Sequence, residues 1–217
     1  YKFGKEVISA LPRPLQSAIG NRRELFDIGV HGPDILFYYH PVKKNPVSDQ
    51  GYALHDRLAD EFFLRAAEKI KSAEDPAAAR AYIYGVICHF ALDSECHPYV
   101  EKMIHDSGIS HSEIEMEFDR LLLKEDYINP VRYLGTKHIH PSRENASVIA
   151  PFYEALTPET VEKALKGMIL CHKLLLAPGS LKRRLLFGGM KIAGQYEHMH
   201  GMVMSLEPNP ACRDYCQ

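Results

Sequence analysis

Along the chain one helical pattern follows another, several of them opened by a capping residue or a proline and several closed by glycine or proline. No stretch sustains the period-2 alternation of a half-buried strand, and no Asn-Gly or Asp-Gly pair marks a hairpin. The expectation is an all-α fold. Its 217 residues suffice for one sizeable core and are few for two, so a single compact domain over residues 1–217 is expected.

Pro12, Pro14 and Gly20 divide residues 5–30 into short helical pieces, and Gly29, Gly32 and Pro33 turn the chain ahead of the aromatic run Phe37-Tyr38-Tyr39. That run either lines an entrance or joins the core. After a Lys- and Pro-rich loop at 41–46, Ser48 or Asp49 can cap a helix carrying Leu54, Leu58, Phe62, Ala66 and Ile70 on one stripe. Asp75-Pro76 is an N-cap followed by proline at the first helical position, opening a long apolar helix expected to be the most buried. Ser110 and Glu113 have capping-box spacing for a helix starting at His111, with a stripe of Ile114, Phe118, Leu121 and Leu122. The stretch 127–145 is irregular. Thr157-Pro158 opens another helix, packing through Val161, Leu165, Met168, Ile169 and Leu176, and a last one is expected from about Leu181 to Met204.

Charge and length exclude some functions. The 26 basic against 28 acidic residues give a formal charge of -2, so no broad field favours nucleic acid or an anionic membrane, and no stable nucleic-acid partner is expected. No apolar run has the roughly 18 residues of a transmembrane segment. As given, the chain reads as cytoplasmic; it begins at Tyr1 rather than Met, which leaves secretion open. The five cysteines form no CxxC pair and no regular framework: Cys88 and Cys96 read as buried thiols, while Cys212 and Cys216 could pair or stay reduced. The compositional anomaly is twelve histidines beside no tryptophan, which directs attention to metal.

His89, Asp93 and His97 follow one another at intervals of four. Four residues are one turn plus about 40°, so all three can leave one side of a helix while Val86, Phe90 and Leu92 pack. Imidazole and carboxylate both suit a divalent zinc at about 2 Å. His111 and Glu115 repeat the spacing, and Asp119 continues their face, either orienting His111 or simply exposed. Asp34, after the rigid Gly32-Pro33 turn, and His55, bordering a buried stripe, complete the candidate set. His138 and His140 could receive a phosphate or be exposed, His198 and His200 could face a cleft or end a helix, His172 reads as core, and His31, His40 and His105 lack a partner at ligand spacing.

In this order, the Gly32-Pro33-Asp34 turn with its aromatic run, Leu54-His55, the His89 to His97 helix and His111 to Glu115 resemble the zinc-dependent phospholipase C family. Members are similar to the bacterial phosphatidylcholine-cleaving enzyme and, more distantly, to fungal single-strand nucleases of the same helical fold. The resemblance spans about residues 1 to 125, the rest matching as helical filler. It implies a zinc-dependent phosphodiester hydrolase acting on a phosphodiester or phospholipid, with two or three zinc ions. Asp34, His55, His89 and Asp93 would bind one ion, and His97, His111 and Glu115 another. Asp93 would bridge to a third, completed in the family by the N-terminal amine or nearby residues and an upstream histidine. No histidine precedes His31 here, although family members carry one just before an aromatic-x-Phe-Gly like Tyr1-Lys2-Phe3-Gly4. Zinc would clamp the phosphodiester oxygens and lower the pKa of bound water towards 7, with Asp34 as general base or water-orienting group.

Two rivals stand beside this reading. One is another all-helical metal phosphohydrolase of His-Asp type, for which His55-Asp56 and His105-Asp106 supply doublets. The other is a non-catalytic protein with closed, structural metal sites.

Overall fold

The computed structural model describes residues 1–215. Among them the regular structure is helix throughout, with no strand: α1 Lys2–Ala10, α2 Arg13–Gly20, α3 Arg23–Gly29, α4 Pro46–His55, α5 Ala59–Lys71, α6 Pro76–Ser107, α7 His111–Glu125, α8 Arg143–Ile149, α9 Pro158–Leu175, α10 Ser180–Ile192 and α11 Tyr196–Met199. Short 3₁₀ segments join them, the longest being Gly32–Tyr38. The chain groups into two compact units, residues 1–93 with 136–171 and residues 94–135 with 172–217.

The first unit is organised by α6. Asp75 Oδ1 accepts from the amides of Ala77 and Ala78, each at 3.0 Å, as the Asp-Pro start requires. Its first turns bury Ala78, Ala79, Ala81, Tyr82, Ile83 and Val86. Leu25, Ile28, Ile35, Leu36, Ile149, Val161 and Leu165 close the same core. Two glycines set the approach of α3: a Cβ on Gly29 would lie 2.2 Å from the Tyr82 carbonyl oxygen, and one on Gly85 would lie 2.3 Å from that of Phe26. The helices therefore cross backbone to backbone. Phe90 and Leu92, expected to pack, are 43% and 40% exposed, and Phe90 packs only at its edge, with its ring 5.8 Å from that of Phe63.

The single helix expected through Leu54 and Ile70 is two. Asn45 is the cap, accepting from Val47 N and Ser48 N at 3.1 Å, and Ser48 Oγ returns as acceptor for Asn45 N. Ser48 is thus the third residue of a capping box rather than the cap. After His55 the chain bends at Asp56–Leu58, and Leu58 starts α5 with extended backbone. It is 83% exposed, outside the stripe assigned to it, while Ala66 is buried. Spacing alone cannot separate one helix from two whose faces stay in phase.

In the second unit, Pro98 does not end α6, which continues to Ser107 and stops at left-handed Gly108 (φ +71°). Val100 and Met103 pack with Ile114 of α7. The Ser110 box is absent: Ser110 Oγ is buried without a hydrogen-bond partner, and Glu113 accepts from Asn209 Nδ2 at 2.7 Å. Phe118 is 48% exposed, and its place in the buried face goes to Glu117 and Arg120. Arg120 Nε donates to Glu117 at 3.0 Å, and Ser205 Oγ also donates to Glu117, so the charges are paired before they are buried. The expected last helix stops at Ile192, since Gly194 at φ +66° reverses the chain before α11. Cys88 and Cys212 are buried; Cys216 lies outside the described residues.

Gly29→Ala or Gly85→Ala must separate α3 from α6, and we expect each to lower stability by about 1–3 kcal/mol or more. Gly188 in α10 has open space where a Cβ would go, so Gly188→Ala should raise stability by about 0.5–1 kcal/mol. Denaturant midpoints measure both, and equal effects at the two sites would refute the crossing.

Candidate metal centre

The α3 to α6 crossing fixes the turn that comes next in the chain. Gly32 takes φ +52°, a conformation that glycine adopts without strain, and a Cβ there would lie 2.2 Å from Cδ2 of His89. The turn thus sits against the His89 ring. Tyr153 Oη donates to the Gly32 carbonyl at 3.3 Å and meets Tyr82 Oη at 2.6 Å, tying the turn to the core. Two residues on, Asp34 emerges at the first turn of the 3₁₀ segment.

His55, at the C-terminal end of α4, comes in from another side. Its Nδ1 lies 2.8 Å from the Gly51 carbonyl, to which it donates, and its Nε2 lies 3.0 Å from Asp34 Oδ1. Ligand atoms of Asp34, His55 and His89 all lie within 4.8 Å of one another. Asp93, one turn beyond His89, lines the same pocket, and its charge acts on both histidines.

The two imidazoles differ. The Asp34 hydrogen bond raises His55 to about 9 against its ordinary 6.5, overcoming the opposing effect of burial, with the Gly51 carbonyl adding to the rise. Burial lowers His89, and Asp34 and Asp93 offset only part of that. In the metal-free site, then, a proton on His55 Nε2 occupies the place a cation would take, while His89 is already in the neutral form that ligates. The donors fit a divalent ion of zinc type. They are two imidazoles and a carboxylate, a set zinc accepts at about 2.0–2.2 Å, and Gly51 orients His55 as a histidine ligand's second nitrogen requires.

The second unit holds His97, His111 and Glu115. The His97 and His111 rings are 5.3 Å apart edge to face, and His111 Nε2 lies 2.9 Å from Glu115 Oε1. They do not form a group as tight as the first, and Asp119 is exposed. Of the remaining histidines, His31 Nε2 meets His138 Nε2 at 2.8 Å, with Tyr1 stacked on His138 at 3.7 Å, so His31 has a partner that its sequence spacing did not indicate. His172 is half-buried, and burial lowers its pKa. His200 caps onto the Tyr196 carbonyl. Phe37 packs on Tyr52 and His55, so the aromatic run abuts the site. The doublet partner Asp56 is exposed, and Asp106 pairs with Lys102 and His105 on an open helix face.

The sequence did not reveal Gly51 as the orienter of His55, although it lies four residues earlier on the same helix, a spacing that could have shown it. The contact of Gly32 with His89 has no local signal.

An all-helical chain that gathers an Asp-His-His group in this way carries a candidate site for a metal ion. The family model for zinc-dependent phospholipase C matches residues 2–166, and the chain belongs to that family. The match continues well past the end of the sequence resemblance near residue 125. The family is one of hydrolases, and its chemistry implies zinc and a lipid substrate. No curated protein and no solved structure is matched. No helix is long and apolar enough to cross a membrane among the described residues.

The pKa shifts give opposite pH dependences in metal-free protein. His55, raised above 6.5, contributes stability fully below pH 6.5 and loses it as pH rises through about 9. His89, lowered, contributes above 6.5 and loses it as pH falls. Denaturation in chelator across pH should therefore show stability falling from 6.5 to 9, with Asp34→Asn flattening that limb. An unaltered limb in Asp34→Asn would contradict the His55–Asp34 pairing.

Proposed function

We propose that this protein is a zinc-dependent phosphoric diester hydrolase of phospholipase C type, with Asp34, His55, His89 and Asp93 holding one ion and His97, His111 and Glu115 a second. The observation that carries the reading is the convergence of Asp34, His55 and His89 within 4.8 Å in a chain of this family. A third ion bridged by Asp93 stays part of the proposal.

Zinc bound by these residues supplies Lewis-acid stabilisation of the charge on the phosphodiester and assists ionisation of water. The chain does the rest. His55 would hold the ion through a deprotonated Nε2 and is kept in register by donating Nδ1–H to Gly51. Asp34, 39% exposed, reaches solvent while touching His55, and receives the proton of the attacking water. The Gly32 turn, held by Tyr153, keeps Asp34 at a fixed distance from His89.

Asp34→Asn and His55→Ala should each lower kcat/KM for a soluble p-nitrophenyl phosphodiester by at least about 100-fold. Chelation should abolish turnover and zinc restore it. The His-Asp alternative predicts that Asp56→Ala or Asp106→Ala abolishes activity while Glu115→Ala spares it. That pattern, or full activity without Asp34, would overturn the proposal.

A further inference from the structure

Helix α10, Ser180–Ile192, is apolar on two sides and covered on one. Its inner side belongs to a core of the second unit, where Met190 is buried with Ala177 and Val203, and Leu186 and Phe187 pack against them. At about 100° per residue, Leu181, Leu185, Gly188 and Ile192 fall within about 60° of one another on the opposite side. There Leu181 and Leu185 are each 69% exposed and Ile192 is 92% exposed, and nothing lies within 4 Å of where a Cβ on Gly188 would be. A helix with apolar residues all round is ordinarily buried all round. This one holds three large aliphatic side chains in water along a single ridge.

The residues bordering the ridge are basic. Arg184 and Lys191 flank it on one side and Lys182 on the other, and the helix contains no acidic residue. Lys182 is engaged within the fold, where its Nζ donates to the Lys173 and Leu176 carbonyls at 2.9 and 2.6 Å. Arg183, on the inner side, donates to the Ala177 carbonyl at 3.1 Å. Arg184 is exposed, and so is Lys191, whose Nζ stands 4.8 Å from the centre of the Tyr196 ring. The formal charge of -2 for the whole chain conceals this local cationic strip. Aliphatic tips with long basic stems beside them are what the boundary of an anionic bilayer accommodates: the tips enter the acyl layer, and the charged ends stay among the headgroups.

We infer that α10 docks the protein on an anionic lipid bilayer, with Leu181, Leu185 and Ile192 entering the acyl layer and Arg184 and Lys191 meeting the acidic headgroups. A second copy is the poorer occupant, since two such helices face to face would set these cations against their like. An acidic protein would need a groove matched to a convex ridge, whereas an acyl layer moulds to it. Each basic residue held near an anionic surface strengthens binding by about fivefold, and salt screens that gain. The inference does not draw on the hydrolase reading: it concerns where the chain sits and not what it cleaves, and α10 lies past residue 166, where the family match ends.

Co-sedimentation of the full chain with vesicles of digalactosyldiacylglycerol, with and without the anionic sulfoquinovosyldiacylglycerol, tests this. Neither lipid contains a phosphodiester, so docking is read apart from hydrolysis. We expect binding to the sulfolipid vesicles that salt weakens, and little to the neutral ones. Leu185→Asp and Ile192→Asp, at sites too exposed to disturb the core, should each weaken it by at least about tenfold, as should Arg184→Glu combined with Lys191→Glu. Gly188→Leu adds an aliphatic group to the middle of the ridge and should tighten it several-fold. Leu64→Ser, at a residue 69% exposed on α5, should bind as wild type. Wild-type protein that binds neither vesicle overturns the inference and leaves the ridge to an acidic protein. Equal binding to the two vesicles, binding that survives Leu185→Asp and Ile192→Asp, or no gain in Gly188→Leu also overturns it. Each of these failures leaves the hydrolase reading standing, because turnover of a soluble phosphodiester is measured without a bilayer.

Discussion

Three glycine contacts carry the first unit. Gly29 and Gly85 let α3 and α6 touch through their backbones, and Gly32 then fits against the His89 ring. A side chain at any of the three would push the Asp34 turn away from α6. Buried apolar area holds the helices together, but it does not choose the distance between them; the missing Cβ atoms do. The approach of Asp34 and His89 depends on that distance, since Asp34 leaves the turn two residues after Gly32 and His89 leaves α6 one turn after Gly85.

Electrostatics complete what packing begins. Three polar groups brought this close must be compensated. In the metal-free protein the compensation is a proton: His55 donates to both the Gly51 carbonyl and Asp34, and its pKa rises to about 9. In the proposed metal site the same arrangement would take a cation in place of the proton. His89, already neutral through burial, needs no such exchange. On the proposed reading, zinc would compete with the proton on His55, so its binding would weaken as pH falls.

Much of this is legible in the sequence because several of the candidate ligands sit at helical intervals. The four-residue spacing of His89 and Asp93, and of His111 and Glu115, survives directly as structure. The helical class is equally readable, since proline, glycine and caps punctuate the chain at Asp75-Pro76, Gly108 and Thr157-Pro158. What escaped is partly local competition for a cap or a bend and partly contact between distant residues. Asn45 takes the cap position from Ser48 through a reciprocal pair of bonds, and Leu58 leaves an apparently continuous stripe because the chain bends before it. Glu117 and Arg120 displace Phe118 from the buried face because Ser205, far along the chain, completes their hydrogen bonds. His31 finds His138 across more than a hundred residues. None of these has a periodic signature.

The most direct test of the account is anomalous diffraction at the zinc edge from crystals grown without chelator. A peak between the Asp34 carboxylate, His55 Nε2 and a His89 ring nitrogen, with His55 Nδ1 still on the Gly51 carbonyl, is what this arrangement predicts. A zinc-replete crystal with no peak at that position, or with His55 still hydrogen-bonded to Asp34, would contradict it.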